Sequence, residues 1–233
     1  MSRRIAAIIR HGDYHQMSSV PSAHQPYPLN PDGKNHAREA AVIVEKAVAT
    51  NAWLLDPVID CSHMLRAWQT AHIIADNLTG TPPGELRLES FDELAERCVG
   101  CAANLTADRI REILRDDPRY PEPPEEWKSK SDYRLPLQGA ESLLEAGERV
   151  AGHLVRRMSA LPLKEADTVK LFVGHGAAFR HAAFHLGVLE YDSLALMSMH
   201  HGRPIFIELL DDGSWRRIEG EWKIRKTGTD YKD

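Results

Sequence analysis

Short apolar runs alternate with longer stretches of helical periodicity along nearly the whole chain, and this alternation constrains the fold more than any other feature. Ile5 to Ile9 is apolar at every position and ends in Arg10-His11-Gly12. A run with no polar side reads as a strand buried on both faces of a sheet. Pro57-Val58-Ile59-Asp60-Cys61 and Val169 to Val173 have the same character, Leu86 to Leu88 is a shorter candidate, and Ile205 to Leu209 is the last. Between them the pattern becomes helical. Residues 34–50 place Ala37, Ala41, Val44 and Val48 on one face, and helices are expected over Leu65 to Leu78, 107–115, Glu141 to Leu161 and Ala177 to Leu186. The order predicts an α/β fold of three layers, a mostly parallel central sheet with helices on both faces. Sheets of this kind bind ligands outside the C-terminal ends of their strands.

Turn chemistry supports the same division. Asn30-Pro31-Asp32-Gly33 is a turn suited to capping the helix that follows, and Ser62 is placed to cap the helix after the second strand. Asp211-Asp212-Gly213 turns the chain after the last strand. Residues 13–32 are rich in Pro, Ser, His and Asn without periodicity and read as loop. Asp117 to Lys130 holds four prolines and reads as an irregular excursion within an inserted cap at about residues 97–137. With no internal repeat and no low-complexity linker, the 233 residues are expected to form a single domain over 1–233.

Composition narrows the function. Hydrophobic residues make up 42%, enough for a substantial core. A net charge of −5 and a pI of about 6.2 argue against a globally basic nucleic-acid binder and leave room for a local basic pocket. No apolar run reaches the length of a membrane span, and Ile5 to Ile9 is too short for the core of a signal peptide. Three cysteines, few and odd in number, argue against a disulfide framework and fit a reducing cytoplasm. Cys98 and Cys101 form one C-x-x-C pair without two further ligands at close spacing. Even with His15 and His63 as candidates, no metal site is expected. Asp230-Tyr231-Lys232-Asp233 resembles the start of an epitope tag and carries no argument.

Two triplets fall where an α/β sheet places its chemistry. Arg10-His11-Gly12 ends the first strand and Gly174-His175-Gly176 ends a late one. Glycine lets backbone approach a ligand closely. The helix after Gly176 aims free N–H groups and its positive end at the same mouth, and an arginine offers a planar fork that matches a phosphate. His181 and His185 lie one turn apart on that helix, behind the mouth, and are expected to pack or to meet solvent. His200 and His201 read as surface residues at the pocket's edge.

The ordered set of motifs resembles the histidine phosphatase superfamily, the phosphoglycerate mutase-like family. After Arg10-His11-Gly12 comes Ser62-His63-Met64-Leu65-Arg66-Ala67-Trp68-Gln69-Thr70-Ala71, similar to the family's Ser-x-x-x-Arg-Ala-x-x-Thr. Leu94-Ala95-Glu96-Arg97 with Gly100 resembles the segment that holds the acid. Glu141-Ser142-Leu143, Gly174-His175-Gly176 and Gly202-Arg203-Pro204-Ile205 complete the series. The resemblance implies that His11 attacks phosphorus and that Arg10, Arg66 and His175 grip the phosphoryl oxygens. It also implies that Glu96, with Glu93 as the alternative, protonates the leaving group and later helps deprotonate water. Gly12, Ser62, Gly176, Tyr14 and His15 are expected to line the substrate site. Such a mechanism needs an unprotonated imidazole whose other nitrogen is held by an acceptor such as a backbone carbonyl. Two guanidinium groups and a protonated His175 would meet the phosphoryl charge without a metal or any other cofactor.

Departures from the mutases matter. They follow Arg-His-Gly with Glu-Ser, where this chain has Asp13-Tyr14, and they carry adjacent arginines in the middle insertion for the substrate's carboxylate and second phosphate. Residues 100–140 contain no Arg-Arg pair, and Val99 stands where the mutases have tyrosine. Arg10 to His15 instead resembles a phosphatase branch that includes phosphoprotein phosphatases. The expected function is therefore phosphomonoester hydrolysis through a phosphohistidine, on a phosphorylated small molecule or a phosphoprotein. Mutase-type transfer and a non-catalytic binding module on the same fold are the alternatives. Neither nucleic acid nor membrane is an expected partner, and a homodimer is left open. Tyr14, Trp127, Tyr133 and Arg134 are the expected readers of the substrate beyond its phosphoryl group.

Overall fold

The computed structural model describes residues 2–17, 19–21, 24–79 and 86–225. The tail Asp230 to Asp233 lies outside them. The described elements run β1 (Arg4–Arg10), α1 (Pro31–Asn51), β2 (Leu54–Leu55), β3 (Val58–Ser62), α2 (Leu65–Asn77), β4 (Arg87–Phe91) and α3 (Ala107–Asp116). They continue with α4 (Leu143–Ser159), β5 (Thr168–Gly174), α5 (Gly176–His185), β6 (Met197–Ser198), β7 (Ile205–Leu209), β8 (Trp215–Glu219) and β9 (Lys223–Ile224).

The main sheet has the order β4-β3-β5-β1-β7-β8, with β2 also paired to β5. Strands β1 to β5 are mutually parallel where they pair, and β7 and β8 add an antiparallel edge. Alternation along β1 shows how both faces are covered. Ile5, Ala7 and Ile9 pack with Ala40, Val44, Ala67 and Ile74 of α1 and α2. Ala6 and Ile8 pack with Val150, Leu154, Phe179 and Ala182 of α4 and α5. The result is the expected α/β architecture of a mostly parallel sheet between helices.

Several boundaries have visible causes. Asn30 caps α1, its Oδ1 accepting from Gly33 N at 2.8 Å, so the helix starts at Pro31 rather than residue 34. Ser142 and Glu145 form a reciprocal capping box that starts α4 at Leu143. The expectation for Ser62 is corrected. Met64 is the N-cap of α2 and makes no side-chain cap bond, because Ser62 closes β3 and turns its hydroxyl toward the site described below. The β8 strand was not expected. It is the return arm of the hairpin that the turn at 211–213 makes, on the sheet's edge, where Arg216 and Arg217 stay exposed.

The insertion after Glu96 has a small core of its own: Val99, Ala102, Ile110, Leu114, Trp127, Leu135 and Ala140. Its two ends meet through the Val99–Ala140 bridge and through Cys101 N–H to Gln138 O at 3.0 Å. Gly100 sits at this neck with φ +70, and a Cβ there would lie 2.4 Å from Gln138 O. Residues 117–142 are otherwise irregular, as their prolines suggest.

Candidate active site

Parallel pairing of β1 with β5 sets Arg10 beside Gly174, so the two His-Gly motifs leave the sheet at the same level. His11 N–H donates to Gly174 O at 2.9 Å, and the rings of His11 and His175 are 5.0 Å apart. Both glycines are also required by packing within the chain. A Cβ on Gly12 would lie 2.1 Å from Gly33 O, and one on Gly176 would lie 2.9 Å from Arg10 Cδ. Gly12 thus lets β1 pass under the start of α1, and Gly176 makes room for the Arg10 side chain.

Arg66, on the first turn of α2 and 1% exposed, organises the centre. Its Nε donates to His11 Nε2 at 3.1 Å, its Nη1 to Gln25 O at 2.9 Å, and its Nη2 lies 3.2 Å from His175 Nδ1. Tyr14 lies under the guanidinium, 4.5 Å from ring centroid to Cζ, and its ring meets the His11 ring edge-on at 5.5 Å. Arg10 comes from the other side. Its Nη1 donates to Met199 O at 2.9 Å, while its buried Nε has no hydrogen-bond partner among the described residues.

These contacts fix the imidazole protonation. Arginine only donates, so His11 Nε2 is the bare nitrogen, and Nδ1–H donates to Gly12 O at 2.7 Å. Burial, then Arg66 and His175, push the His11 pKa well below its ordinary value. By the same logic His175 Nδ1 accepts from Arg66 and Nε2–H donates to Ser62 Oγ at 3.0 Å. Burial and Arg66 also push the His175 pKa well down. Without a phosphoryl group beside it, His175 is therefore a neutral imidazole in this structure, its proton disfavoured first by burial and then by the Arg66 charge.

Glu96 follows the single 3-10 turn after β4 and is 7% exposed, with Oε1 accepting from Arg97 N at 2.9 Å. Arg149 of α4 straps this segment, donating to Glu93 O and Ala95 O at 2.8 and 3.2 Å and pairing with Glu141 at 2.7 Å. The Glu93 side chain pairs with Arg156 at the surface, 3.2 Å away, so of the two candidate acids only Glu96 turns inward. His15 is exposed, unlike the other proposed lining residues; its backbone N–H donates to Pro28 O at 3.2 Å. Cys61, Cys98 and Cys101 are free thiols. His181 is buried, its Nε2 3.0 Å from Ser131 Oγ, and His185 Nε2 lies 2.9 Å from Leu144 O.

Three contributors escaped the sequence reading. Thr70 lies inside the α2 motif; its hydroxyl accepts from Gly12 N at 3.0 Å and donates to Arg66 O at 2.7 Å, joining the two motifs. His201, expected at the surface, is half-buried. Its Nδ1–H donates to His11 O at 2.7 Å, its ring stacks on His36 at 5.6 Å, and burial and Arg10 bring its pKa to about 3. Gln25 orders the loop over the site, accepting from Met17 N at 2.8 Å and donating to Pro21 O at 3.2 Å. The repeated His-Gly element could have drawn attention to His201-Gly202; nothing local singles out Gln25.

Beside this cluster a cavity of about 470 Å³ opens between the insertion, Gln16, Val20 and Pro21, and the start of α5. The expected readers are redistributed around it. Trp127 is 1% exposed and belongs to the insertion's core, with one side on the cavity. Arg134 pairs with Glu145 on the outside, Tyr133 packs against the insertion's core, and Tyr14 belongs to the His11–Arg66 cluster itself.

A buried strand-end histidine pair around an inward arginine, on this sheet, defines a class, and comparison with known proteins agrees. The model of the histidine phosphatase superfamily (branch 1) matches residues 6–216, and the chain belongs to that superfamily. A relative from Parvibaculum lavamentivorans described as a 2,3-bisphosphoglycerate-dependent phosphoglycerate mutase is 27% identical over 191 residues, 82% of this chain and 83% of that protein. Among solved structures, a mycobacterial glucosyl-3-phosphoglycerate phosphatase superposes with a TM-score of 0.66 at 19% identity, covering 95% of this chain and 97% of that one. A phosphoglycerate mutase from Bacillus anthracis superposes with a TM-score of 0.68 at 17% identity, over 95% and 93%. Both structures are similar in fold. Among the described residues no helix is long and apolar enough to cross a membrane.

Proposed function

We propose that this chain is a phosphatase that hydrolyses phosphomonoesters through a phosphohistidine on His11 and needs no metal. The observation that carries the reading is the bare Nε2 of a neutral, buried His11 that accepts from Arg66. Nε2 attacks phosphorus as the ester oxygen leaves, and Glu96 gives that oxygen its proton. Arg66 exchanges its bond to Nε2 for phosphoryl oxygens, and the Arg10 Nε–H supplies a further donor. Water then attacks the phosphohistidine, Glu96 takes its proton, and inorganic phosphate leaves with His11 restored. His175, neutral before binding, takes up a proton from solvent at Nδ1 once the dianion lies beside it, and then donates a hydrogen bond to the phosphoryl group.

The partners of this reading are a phosphorylated small molecule or a phosphoprotein. The mutase description of one relative favours a second reading, return of the phosphoryl group to product. A panel of phosphometabolites and phosphopeptides, with inorganic phosphate and isomerised ester both measured and EDTA present, separates the two. We expect release of phosphate to outpace isomerisation and EDTA to leave the rate unchanged. Dominant isomerisation primed by a bisphosphate ester, or loss of activity to EDTA restored by a divalent cation, would refute the hydrolase reading.

A further inference from the structure

We propose that His201 is a positioning residue for the nucleophile: its side-chain N–H holds the peptide unit between His11 and Gly12, and so keeps Gly12 O where it receives the His11 Nδ1–H and leaves Nε2 bare. This deepens the phosphatase reading, on which its catalytic consequence rests.

The need for such a residue arises where β1 outruns its neighbour. The ladder between β1 and β7 ends at the pair Ile8–Ile205, two residues short of Arg10. Pro204 stands next on the β7 side and has no N–H to give. Arg10 and His11 are both buried, so their carbonyls need donors from elsewhere. Residues 199–202 fold back to supply them. Gly202 N–H donates to Arg10 O at 3.0 Å, and His201 Nδ1–H donates to His11 O at 2.7 Å. The loop is held in return by Arg10 Nη1, which donates to Met199 O at 2.9 Å. A side chain thus does for His11 what a neighbouring strand does along the rest of β1.

The other polar end of the same peptide unit is held as well, since Gly12 N–H donates to Thr70 Oγ1 at 3.0 Å. A peptide unit is planar, so a restraint at each end fixes its orientation. That orientation governs the next carbonyl, Gly12 O, which accepts from His11 Nδ1 at 2.7 Å. Gly12 has no Cβ, so its own torsions do little to confine that carbonyl. The bond made by one ring nitrogen decides the state of the other. Before substrate binds, Arg66 Nε selects the same tautomer from the Nε2 side. Once Arg66 has turned to the phosphoryl oxygens, Gly12 O is what holds it.

His201 is itself well braced. Its ring stacks on His36 at 5.6 Å and 8° between planes, and Asp13 N–H donates to His36 Nδ1 at 3.4 Å. A Cβ on Gly202 would lie 2.2 Å from His36 O, so the loop sits directly against α1. Burial and then Arg10 bring the His201 pKa to about 3, so this donor is uncharged and adds no cation beside Arg10.

The test uses the full chain and two substitutions with opposite losses. Asparagine carries its Nδ2 directly on Cγ, as histidine carries Nδ1, so His201→Asn keeps a neutral donor and loses the ring. His201→Phe keeps a ring against His36 and loses the donor. Single-turnover phosphorylation of His11 by an aryl phosphate should slow about tenfold or more in His201→Phe, as small misplacements of a reacting group do. His201→Asn should recover most of that loss. Inhibition by inorganic phosphate, which reads the grip of Arg10, Arg66 and His175, should change by no more than about twofold in either variant. By NMR, the His11 Nδ1–H, assigned by its absence from His11→Ala, should exchange with solvent faster in His201→Phe than in His201→Asn. If His201→Phe does not fold, His201→Leu, close to asparagine in size, takes its place. Equal rates in the two variants, or a slower His201→Asn, would overturn the proposal. So would a loss in His201→Phe matched by weaker phosphate inhibition. If the wild-type enzyme carries no phosphate on His11, the phosphatase reading fails, and exchange of the Nδ1–H still decides whether His201 positions the ring.

Discussion

Arg66 Nε aims its hydrogen at His11 Nε2 from 3.1 Å, so the same contact identifies the nucleophile's bare nitrogen and the first donor a phosphoryl group would meet. Arg66 also reaches Gln25 O through Nη1 and His175 Nδ1 through Nη2. Lysine carries the charge but cannot present donors along three fixed directions. Arg66→Lys is therefore expected to lower kcat/KM by about a hundredfold or more with the fold retained by circular dichroism, in line with loss of a preorganised donor. A tenfold effect or less would mean that charge alone suffices.

The imidazole pKa values give a stability prediction with a definite sign. His11 and His175 are held well below their ordinary value by burial and Arg66, and burial brings His181 and His201 to about 3. The unfolded chain binds these protons near pH 6.5 and the folded chain does not, so stability is full above that value and falls as pH drops toward 3. Asp60, Glu141 and Asp13, whose folded pKa values are depressed, add a loss of the same sign at lower pH. Urea midpoints should decline steadily from pH 7 to pH 5, and the His11 and His175 ring nitrogens should show no protonation by NMR between pH 8 and pH 6. A flat profile, or titration of either ring near 6.5, would contradict the neutral pair.

Gly33 predicts a steric effect at a distance from any ligand. A Cβ there would lie 1.8 Å from Asp13 O, against backbone rather than a movable side chain. Gly33→Ala should cost on the order of 3 kcal/mol in unfolding free energy and displace the segment after His11, lowering kcat with it. Wild-type stability in this variant would show that the Gly12–Gly33 crossing has room to spare.

Much of this was legible in the sequence because it rests on local signals. Apolar runs at Ile5 to Ile9 and Val169 to Val173, and the cap at Asn30, located the elements to within a few residues. The motif residues Arg10, His11, Arg66 and His175 do converge, since β1 and β5 are neighbours. The rest depends on long-range geometry. Ser62 looked like a helix cap because its spacing fits one, and only the position of His175 shows where its hydroxyl goes. The charge state of His175 depends on burial that no local pattern encodes. Trp127 looked like an exposed reader because prolines surround it, yet the insertion is large enough to need a core residue. His201 reaches His11 O only through folding.

The proposed acid makes a further prediction. A general acid matters in proportion to how poor the leaving group is. Glu96→Gln should slow hydrolysis of an alkyl phosphate by roughly a hundredfold or more, while phosphorylation of the enzyme by an activated aryl phosphate suffers much less. Equal losses on both substrates would remove Glu96 from proton transfer. A larger effect from Glu93→Gln, whose side chain pairs with Arg156 at the surface, would contradict the inward orientation of Glu96.

The nucleophile itself is tested most directly by trapping. A nitrogen–phosphorus bond survives base and breaks in acid, unlike a serine or threonine ester in both respects. Rapid base quenching during turnover of a ³²P-labelled phosphomonoester, followed by peptide mapping, should place acid-labile label on His11, and His11→Ala should carry no label and show no turnover. Label on any other residue, or turnover retained in His11→Ala, would contradict the account.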